Sequence, residues 1–574
     1  MRLQFSGHGA ARGSALGRAR VRQPHALEVA EQQIAASAVS PELTRLHAAV
    51  DATRGEMRAL REKLHGALAR EVGEFLDLHA LLLDDPELLH GLDELIRVGR
   101  YSADYALRLQ RDRLAAVFEG MDDAYLKSRM DDLDHVIGRI HAHLHERADA
   151  PKGLAGEILV CDNVAPSELA QLQAQGVVAV VSAAGSTLSH SAILARSLHL
   201  PLVVGAAHAL QKINDGDVLV VDGGSGEVIV EPNASDLRAH QSRQRDAARE
   251  QRELRRLRGK PSRTLDGTDI ALLANAESQE DIARAHALGA GGLGLYRTEF
   301  LFLQRDHLPD EEEQFRIYRD AVLGMSGRPV TFRTLDLGAD KADRAGLVAA
   351  DEDNPALGVR GVRLALAHGE VFNTQLRAIA RASGYGPVRV LVPMISNREE
   401  ILSVRRRLAG ILSHMRRNGH EVAEQIDFGV MIEVPAAAIG MQAFVDLIDF
   451  ASIGTNDLVQ YLLAADRDNE ALGELYTPLH PGVLRLLRHI LRAGEENGVP
   501  VAMCGEIAGD PRFTRLLLAL GLCEFSLHPA TLLEVRRAIR DSDRGRLLAQ
   551  TDKLLKLRDR AAIERWMDAA EQAV

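Results

Sequence analysis

The second half of the chain alternates short apolar runs with amphipathic helical stretches, and this alternation restricts the folds open to it. Eight runs have strand-like composition, and most end on a polar or charged residue: LLANA, LGLYRTEF, TFRTLD, GVRGVR, VRVLVPMI, GVMIEVP, ASIGTNDL and VAMCGE. Repeated strand–helix units of this kind predict a (β/α)8 TIM-like barrel, which takes roughly 250 residues. Active sites of such barrels collect at the carboxyl ends of the strands. We therefore expect the functional site at one rim of this barrel.

The residues at the run ends belong to few chemical types. They are arginines, carboxylates, small polar side chains and one cysteine: Asn275, Arg297, Arg333, Asp336, Arg360, Ser396, Glu433, Asn456, Asp457, Cys504 and Glu506. Guanidinium forks bind carboxylate and phosphate groups bidentately and stay charged. This set predicts a site for a small, doubly anionic, metal-bound molecule. The alternative is that the arginines only pair with buried carboxylates.

Composition argues against several classes of protein. The chain has 574 residues and a formal net charge of −12, which argues against a nucleic-acid partner. Cys161, Cys504 and Cys523 have no paired spacing, so we expect neither a disulfide framework nor a zinc site built from cysteine. No run is long enough to cross a membrane, and the first residues lack an apolar signal core. We expect a protein of the reducing cytoplasm without membrane insertion.

The first half of the chain predicts an α/β domain interrupted by helices. A short glycine-rich strand opens the chain, and residues 24–148 carry apolar residues at helical spacing, with breaks at Asp85–Pro86 and around Gly120–Asp123. Short apolar runs then follow: EILVC, VVAVVS, PLVV, VLVVDG and EVIVEP. We expect an α/β domain of residues 1–23 and 149–232, with a bundle of about four helices inserted. Residues 233–260 predict a solvated linker helix, and residues 261–574 the barrel with a helical tail.

The sharpest motif of the first half is AAGSTLSHSAILARSLHLP. It places His190 at the start of an apolar helix, where free N–H groups and the helix dipole favour an anion. An imidazole is a competent nucleophile at neutral pH, and Thr187 and Ser189 can donate hydrogen bonds to a phosphate attached to it. A capping turn with an incidental surface histidine explains the motif equally well.

Two further features have competing interpretations. The segment from Glu71 to Glu87 contains six acids and no lysine or arginine, which indicates either simple solvation or a docking face for a basic protein. His135, His141, His143 and His145 resemble a metal-binding tract. Positions two apart on a helix do not converge on one ion, so we expect these histidines to be solvated.

Taken together, the motifs resemble enzyme I of the bacterial phosphotransferase system, the phosphoenolpyruvate–protein phosphotransferases. The likeness covers essentially the whole chain through GSTLSHSAILARSLHLPLVVG, GLGLYRTEFLF, TFRTLDLGADK, NPALGVRGVR, FGVMIEVPAA, SIGTNDLVQYLLAADR and MCGEIAGD. The resemblance implies a phosphohistidine domain with an inserted helical subdomain, followed by a barrel that binds phosphoenolpyruvate and forms a homodimer. It also implies transfer of the phosphoryl group to the carrier protein HPr, in either the sugar-uptake or the nitrogen-regulatory branch.

The resemblance also implies roles for individual residues. His190 would be the phosphohistidine nucleophile and Cys504 the proton donor, unless Cys504 is only a small buried filler. Glu433 and Asp457 would hold Mg2+. The residues implied to bind the substrate are Arg297, Arg333, Asn456, Asp457 and Arg467. Arg360, Lys341 and Asp336 could either support the pocket or touch the substrate.

One position departs from the family pattern. Leu188 stands where the family usually has Thr before the Ser-His pair, so a hydroxyl expected near the phosphohistidine is missing. Two rival functions remain. A phosphoenolpyruvate synthase or pyruvate phosphate dikinase would need a nucleotide-binding domain, for which the chain has no spare length. A non-catalytic sensor of phosphoenolpyruvate would need neither nucleophile nor proton donor.

Overall fold

The computed structural model divides the chain into two compact units, Met1–Arg249 and Glu250–Val574. It describes residues 2–22, 31–63, 79–119, 124–145, 154–164, 166–185, 190–303, 307–338, 347, 352, 354–467, 469, 472–473, 475–572. Among these residues, no helix is both long enough and apolar enough to span a bilayer. The predicted break at residues 120–123, and Lys341, lie outside the described residues.

An eight-stranded mixed sheet forms the base of the first unit, in the order β1-β8-β7-β3-β4-β5-β6-β2. Its strands are β1 Leu3–Ser6, β2 His8–Ala11, β3 Ser14–Val21, β4 Glu157–Cys161, β5 Ala179–Ser182, β6 Leu202–Val204, β7 Val218–Asp222 and β8 Glu227–Val230. The opening segment, predicted as one strand, forms three. Strands β3 and β4 pair in parallel, so the predicted helical insertion lies between two neighbouring strands.

The alternation of side chains along β4 links the sheet to the inserted helices. Ile158 and Val160 pack in one apolar cluster with residues of the same sheet. Leu159 and Cys161 point to the opposite face and join a cluster that contains helical residues such as Ile137. The helices of this unit are α1 Val39–Lys63, α2 Pro86–Arg97, α3 Ala103–Glu119, α4 Ala124–Leu144, α5 Pro166–Ala174, α6 His190–Ser197 and α7 Ala209–Lys212.

Local sequence explains where α2 begins. The side chain of Asp85 accepts a hydrogen bond from the backbone N–H of Glu87, and Pro86 occupies the first helical position. The acidic cap satisfies a free N–H group of the first turn. Proline at the first helical position already has the φ angle that a helix needs. A further helix, α8 Ala234–Arg255, corresponds to the predicted linker helix of residues 233–260 and ends five residues before the predicted end.

The second unit contains a closed barrel of eight parallel strands, and the predicted fold class is confirmed. The strands are β9 Ala271–Ala276, β10 Leu293–Tyr296, β11 Val330–Arg333, β12 Val388–Val392, β13 Asp427–Ile432, β14 Phe450–Ile453, β15 Val501–Met503 and β16 Glu524–Leu527. Closure comes from parallel pairing of β16 with β9, for example Phe525 beside Leu272.

One strand assignment from the sequence is wrong. The run GVRGVR, residues 358–363, is not a strand, and the eighth strand is instead β16, which was not predicted. Gly361 has φ +55° and precedes helix Val362–Ala367. A Cβ atom at this glycine would lie 2.7 Å from Met394 Cβ, so the chain turns here in tight contact with the neighbouring strand end.

Capping boxes begin three helices around the barrel, with the pairs Ser278 and Asp281, Asp310 and Glu313, and Asn397 and Glu400. The helices are α9 Gln279–Leu288, α10 Phe300–Leu303, α11 Glu311–Gly324, α12 Val362–Ala367, α13 Gly369–Ala382, α14 Arg398–Arg417, α15 Pro435–Ile439, α16 Thr455–Leu463, α17 Pro481–Asn497, α18 Glu506–Gly509, α19 Thr514–Leu520, α20 Leu532–Arg540, α21 Arg544–Leu548, α22 Thr551–Leu554 and α23 Arg560–Gln572. Reciprocal capping satisfies free N–H groups, which fixes the point where each capped helix starts.

Candidate active site

Five of the predicted rim residues meet in one buried cluster at the carboxyl ends of the barrel strands. Arg333 ends β11, Glu433 follows β13, and Asp457 lies in the first turn of α16 after β14. Arg360 and Asp336 come from the connections that follow β11. The convergence of these strand ends is the geometry that the alternation of runs predicted.

Arg333 is held by two carboxylates. Its Nη2 atom lies 3.0 Å from Glu299 Oε1, and its Nη1 atom lies 3.2 Å from Asp336 Oδ2. Glu299 also accepts a hydrogen bond of 3.0 Å from the backbone N–H of Asp336. The side chain of Arg333 is only 10% exposed, so its orientation is fixed before any ligand binds.

Arg360 links Asp336 to Asp457. It donates two hydrogen bonds to Asp336, of 3.2 Å from Nε and 3.0 Å from Nη2. Its Nη1 atom lies 3.5 Å from Asp457 Oδ1 and donates to the hydroxyl of Tyr461 at 3.3 Å. Arg360 is therefore part of the buried network.

Glu433 is fully buried, and only one of its two carboxylate oxygens has a hydrogen-bond partner in the part of the chain that the structure describes. Its Oε1 atom accepts the backbone N–H of Met394 at 2.6 Å, whereas its buried Oε2 atom has no hydrogen-bond partner among the described residues. Desolvation raises the pKa of Glu433, and Asp457 and Asp336 raise it further, against the opposing charges of two arginines. A cation beside Oε2 would relieve both burial and repulsion.

The space beside that oxygen is kept open by a glycine. A Cβ atom at Gly454 would lie 2.7 Å from Glu433 Oε2. Two guanidinium groups in this cluster, of Arg333 and Arg360, face the four carboxylates Glu299, Asp336, Glu433 and Asp457, so the formal charge is −2 when all are ionised. Carboxylate oxygens suit hard divalent cations, so this donor set fits Mg2+.

Cys504 follows β15 and is buried, 4% exposed. It packs with Leu295, Leu391, Met431 and Phe450, and its Sγ atom lies 3.6 Å from the carbonyl oxygen of Ile453. Burial raises the pKa of the thiol, which keeps it protonated at neutral pH. This state suits a proton donor, while the apolar packing also suits a structural filler.

The remaining rim residues are more exposed. Asn456 and Glu506 bond reciprocally: the amide of Asn456 donates to Glu506 Oε1 at 3.1 Å and its Oδ1 accepts the Glu506 backbone N–H at 3.1 Å. Arg297 is 39% exposed and lies 2.6 Å from Glu277 Oε1. Arg467 is exposed after the end of α16, so it does not belong to the buried part of the cluster.

Asn275 and Ser396, also at run ends, have structural partners. The amide of Asn275 donates to the carbonyl oxygen of Cys504 at 3.1 Å, which ties β9 to the segment after β15. The hydroxyl of Ser396 donates to Glu400 at the start of α14. These contacts hold the rim together without contributing to the buried charge cluster.

The structure places His190 at the first position of α6 in the first unit. Gly185, before it, has φ +98°, a conformation that favours glycine and lets the chain turn after β5. Thr187, Leu188 and Ser189 lie outside the described residues. The backbone therefore agrees with the predicted helix start, and the role of His190 stays a prediction.

Sequence reasoning missed two members of the cluster, Glu299 and Tyr461. Glu299 follows Arg297 by two residues in the motif LGLYRTEF, so the same strand end carried the signal. Tyr461 lies four residues after Asp457 on α16, a spacing that puts both side chains on one helix face. Its hydroxyl donates to the carbonyl oxygen of Ala356 and accepts from Arg360.

Comparison with known proteins identifies the family of this chain. Models of three domains of phosphoenolpyruvate-utilising enzymes match the chain: the N-terminal domain at residues 6–129, the mobile domain at 153–226 and the phosphoenolpyruvate-binding domain at 251–544. The phosphoenolpyruvate-protein phosphotransferase of Cupriavidus necator is 42% identical over 575 residues, which cover 97% of this chain and 98% of that protein. The chain belongs to the phosphoenolpyruvate-protein phosphotransferase family.

Other members of the phosphoenolpyruvate-protein phosphotransferase family are similar over most of their length. The relative from Geobacillus stearothermophilus is 38% identical and covers 93% of this chain and 92% of its own. One from Staphylococcus aureus is 37% identical, with 87% of this chain and 88% of its own covered. The predicted resemblance to enzyme I is confirmed, and the chain is an enzyme of this phosphotransferase class.

Proposed function

We propose that this chain transfers the phosphoryl group of phosphoenolpyruvate to its own His190 and then to a histidine of the carrier HPr, releasing pyruvate. The observation that carries the proposal is the buried rim cluster in which Arg333 and Arg360 lie beside Glu433 and Asp457. Membership of the phosphoenolpyruvate-protein phosphotransferase family over nearly the whole chain supports it.

In this proposal the rim binds phosphoenolpyruvate by its two anionic groups. Arg297, Arg333 and Arg467 bind the phosphate and carboxylate, with Asn456 completing the pocket. The carboxylates around Arg333 hold its guanidinium in place, so little side-chain freedom is lost when the substrate binds. Arg360 acts through Asp336 and Asp457 as a positioning residue.

Glu433 and Asp457 hold Mg2+ in this proposal. The unpartnered Glu433 Oε2 atom and the open space beside Gly454 support the assignment. When bound there, Mg2+ would neutralise charge on the phosphate and on the departing enolate. The formal charge of −2 in the described cluster is the charge that one divalent cation balances.

The reaction then needs one nucleophile and one proton. A ring nitrogen of His190 attacks the phosphorus atom, the bond between phosphorus and the enol oxygen breaks, and pyruvate enolate leaves. The Sγ–H group of Cys504 gives its proton to the methylene carbon of the enolate, which yields pyruvate. Solvent then returns a proton to the thiolate. The raised pKa of Cys504 supports this role, because the donor must be protonated at the start.

The domain assignment follows from these roles. We assign residues 1–23 and 149–232 to the phosphohistidine domain, 24–148 to the HPr-binding subdomain, 233–260 to the linker helix and 261–574 to the phosphoenolpyruvate-binding and dimerisation domain. Acidic residues of the inserted helices, such as Glu87, would face the basic carrier. We place this homodimer and its reaction in the cytoplasm.

Incubation of the protein with phosphoenolpyruvate, Mg2+ and HPr, without nucleotide, tests the proposal. We expect pyruvate release and acid-labile phosphate at His190, and neither in His190→Ala. Pyruvate that forms only after AMP is added would favour the dikinase function instead. Binding of phosphoenolpyruvate without any phosphorylation would favour the sensor, and phosphate mapped to another residue would overturn the assignment of His190.

A further inference from the structure

Two of the histidines expected to be solvated meet a carboxylate between two helices of the first unit. His145 Nε2 lies 2.7 Å from Asp104 Oδ1, and His141 Nε2 lies 3.5 Å from the same oxygen. The two imidazole rings are in contact, with centroids 4.6 Å apart. One potential ligand atom from each residue lies within 4.8 Å of the others.

The expectation from the sequence considered only neighbours two positions apart on the helix. His141 and His145 are four residues apart, and this spacing puts side chains on the same face of a helix. Asp104 enters from the first turn of α3, so the three groups come from two different elements. A helix pair that supplies two imidazoles and one carboxylate is a recognised way to bind a divalent transition metal.

The second oxygen of the Asp104 carboxylate is already occupied. Arg45 Nη2 lies 2.8 Å from Asp104 Oδ2 and 2.8 Å from Glu42 Oε1. This contact turns Oδ1 toward the two histidines and holds it there. A ligand carboxylate that is itself hydrogen-bonded has a fixed orientation, which raises metal affinity.

The present distances need little change to bind an ion. A tetrahedral zinc site has bonds of about 2.0–2.2 Å to nitrogen and oxygen, so its ligand atoms are about 3.3 Å apart. The separation of 3.5 Å between His141 Nε2 and Asp104 Oδ1 is close to this value, while the separation of 2.7 Å at His145 must widen slightly. Half-exposed His145 can move toward solvent by a small side-chain rotation.

We propose that Asp104, His141 and His145 form a site for one divalent transition-metal ion of the Zn2+ type, with water as the fourth ligand. Neutral imidazoles select such ions over Mg2+, so this site differs in chemistry from the carboxylate site of the barrel. The bound ion joins α3 to the end of α4. The proposal does not depend on the proposed phosphotransfer.

The test uses the full chain, stripped of metal by a chelator and assayed with excess Mg2+ present. Zn2+ content after dialysis is measured beside the visible absorption of the Co2+ form, which reports tetrahedral coordination. His143→Ala is the matched control, because His143 lies on the same helix and contacts Glu56 instead, at 3.0 Å. His141→Ala and His145→Ala are the test variants.

We expect the protein and His143→Ala to bind one more equivalent of Zn2+ than either test variant. The tetrahedral Co2+ spectrum should appear in the unaltered protein and in His143→Ala, and in neither test variant. Equal metal content in all four proteins, or no tetrahedral spectrum in any, overturns the proposal. His141→Gln, which keeps a polar side chain of similar size, separates lost ligation from misfolding: it should match the control in circular dichroism and in melting temperature without metal, yet lack the extra equivalent.

Discussion

The backbone N–H of Met394 donates to Glu433 Oε1 at 2.6 Å. Met394 makes this contact with a φ of +59°, in the left-handed region that side chains other than glycine rarely adopt. Such a conformation costs of order 1–3 kcal/mol and persists only where its surroundings enforce it. The strained backbone at Met394 holds the Glu433 carboxylate through Oε1 and leaves Oε2 available for a ligand. The backbone conformation of Met394 therefore supports the proposed metal site.

Glu433→Gln should abolish metal-dependent phosphorylation of His190. The amide keeps the size of the side chain but has no charge, so it is a far weaker ligand. We expect at least about a 100-fold slower appearance of acid-labile phosphate, because even the loss of a group that only orients a metal ligand costs about 10–100-fold. Glu424→Gln, at an exposed position, is the control and should match the unaltered protein. Equal labelling of both variants would show that Glu433 does not belong to the site.

Gly454→Ala should weaken Mg2+ binding while leaving the fold intact. The backbone φ of −87° at Gly454 suits alanine, but the new methyl group would lie 2.7 Å from Glu433 Oε2. We expect Mg2+ affinity, measured by titration calorimetry, to fall about tenfold or more, equivalent to about 1.4 kcal/mol. The control is Gly410→Ala in α14, where a Cβ atom meets nothing within 4 Å. Unchanged Mg2+ affinity in Gly454→Ala would place the cation elsewhere.

Cys504→Ala separates the two interpretations of the buried thiol. A proton donor controls the face on which the enolate carbon is protonated, whereas a filler does not. With deuterated water and a substrate labelled at the methylene carbon, we expect stereospecific pyruvate from the unaltered protein and racemic pyruvate from the variant. Cys523→Ala should stay stereospecific. If the pyruvate from Cys504→Ala is also stereospecific, Cys504 is only a packing residue.

Reversing acidic charge in the predicted acidic segment, of which residues 71–78 lie outside the described residues, should slow transfer to HPr alone. We expect Glu71→Lys combined with Glu74→Lys to lower the rate of phosphate transfer to HPr about tenfold at low salt, because charge complementarity mainly speeds encounter. Phosphorylation of His190 should not change. Glu571→Lys, in the last helix of the chain, is the control. A rate that equals the control would mean that this acidic segment is not a docking face for HPr.

Arg536 should be essential for stability and not for phosphorylation. It is 1% exposed, and it donates to the carbonyl oxygens of Leu257, Leu288 and Gly289 at 2.7–3.0 Å. Arg536→Ala would remove the hydrogen bonds that this buried guanidinium donates to the three carbonyl oxygens, so we expect the free energy of unfolding to fall by about 3 kcal/mol. Denaturant titration measures this loss. Arg492→Ala, at an exposed ion pair with Glu496, should change stability by under about 1 kcal/mol.

The barrel was predictable because seven of its strands are apolar runs that end on polar residues. The two errors share a cause. GVRGVR resembles a strand by composition, but a positive φ at Gly361 and close contact with Met394 turn the chain there. The true last strand, Glu524–Leu527, is as short as β10, β11 and β14 and is followed directly by His528, so its pattern is like that of the predicted strands. Tertiary contact, which a sequence pattern does not contain, decides which of the two runs joins the barrel.

The candidate site was predictable in its residue types more than in its contacts. Motif positions brought out Arg333, Glu433 and Asp457, but the sequence could not indicate that Glu299 would hold Arg333 or that one Glu433 oxygen would stay unpaired. Such relations depend on distances between residues that come from different strand ends, such as Glu299 and Arg333. By contrast, His141 and His145 were within reach of sequence reasoning, since only their spacing had to be considered.

The parallel pairing of β3 with β4 makes the helical insertion a crossover connection. Arg18 lies beside Glu157 and Val21 beside Val160, so the chain must return from one end of the sheet to the other before β4 begins. A single helix can make that return. The sheet that carries His190 thus needs only a short bridge at this place, and the larger bundle can diverge in sequence, or be exchanged for another, while the strands keep their order.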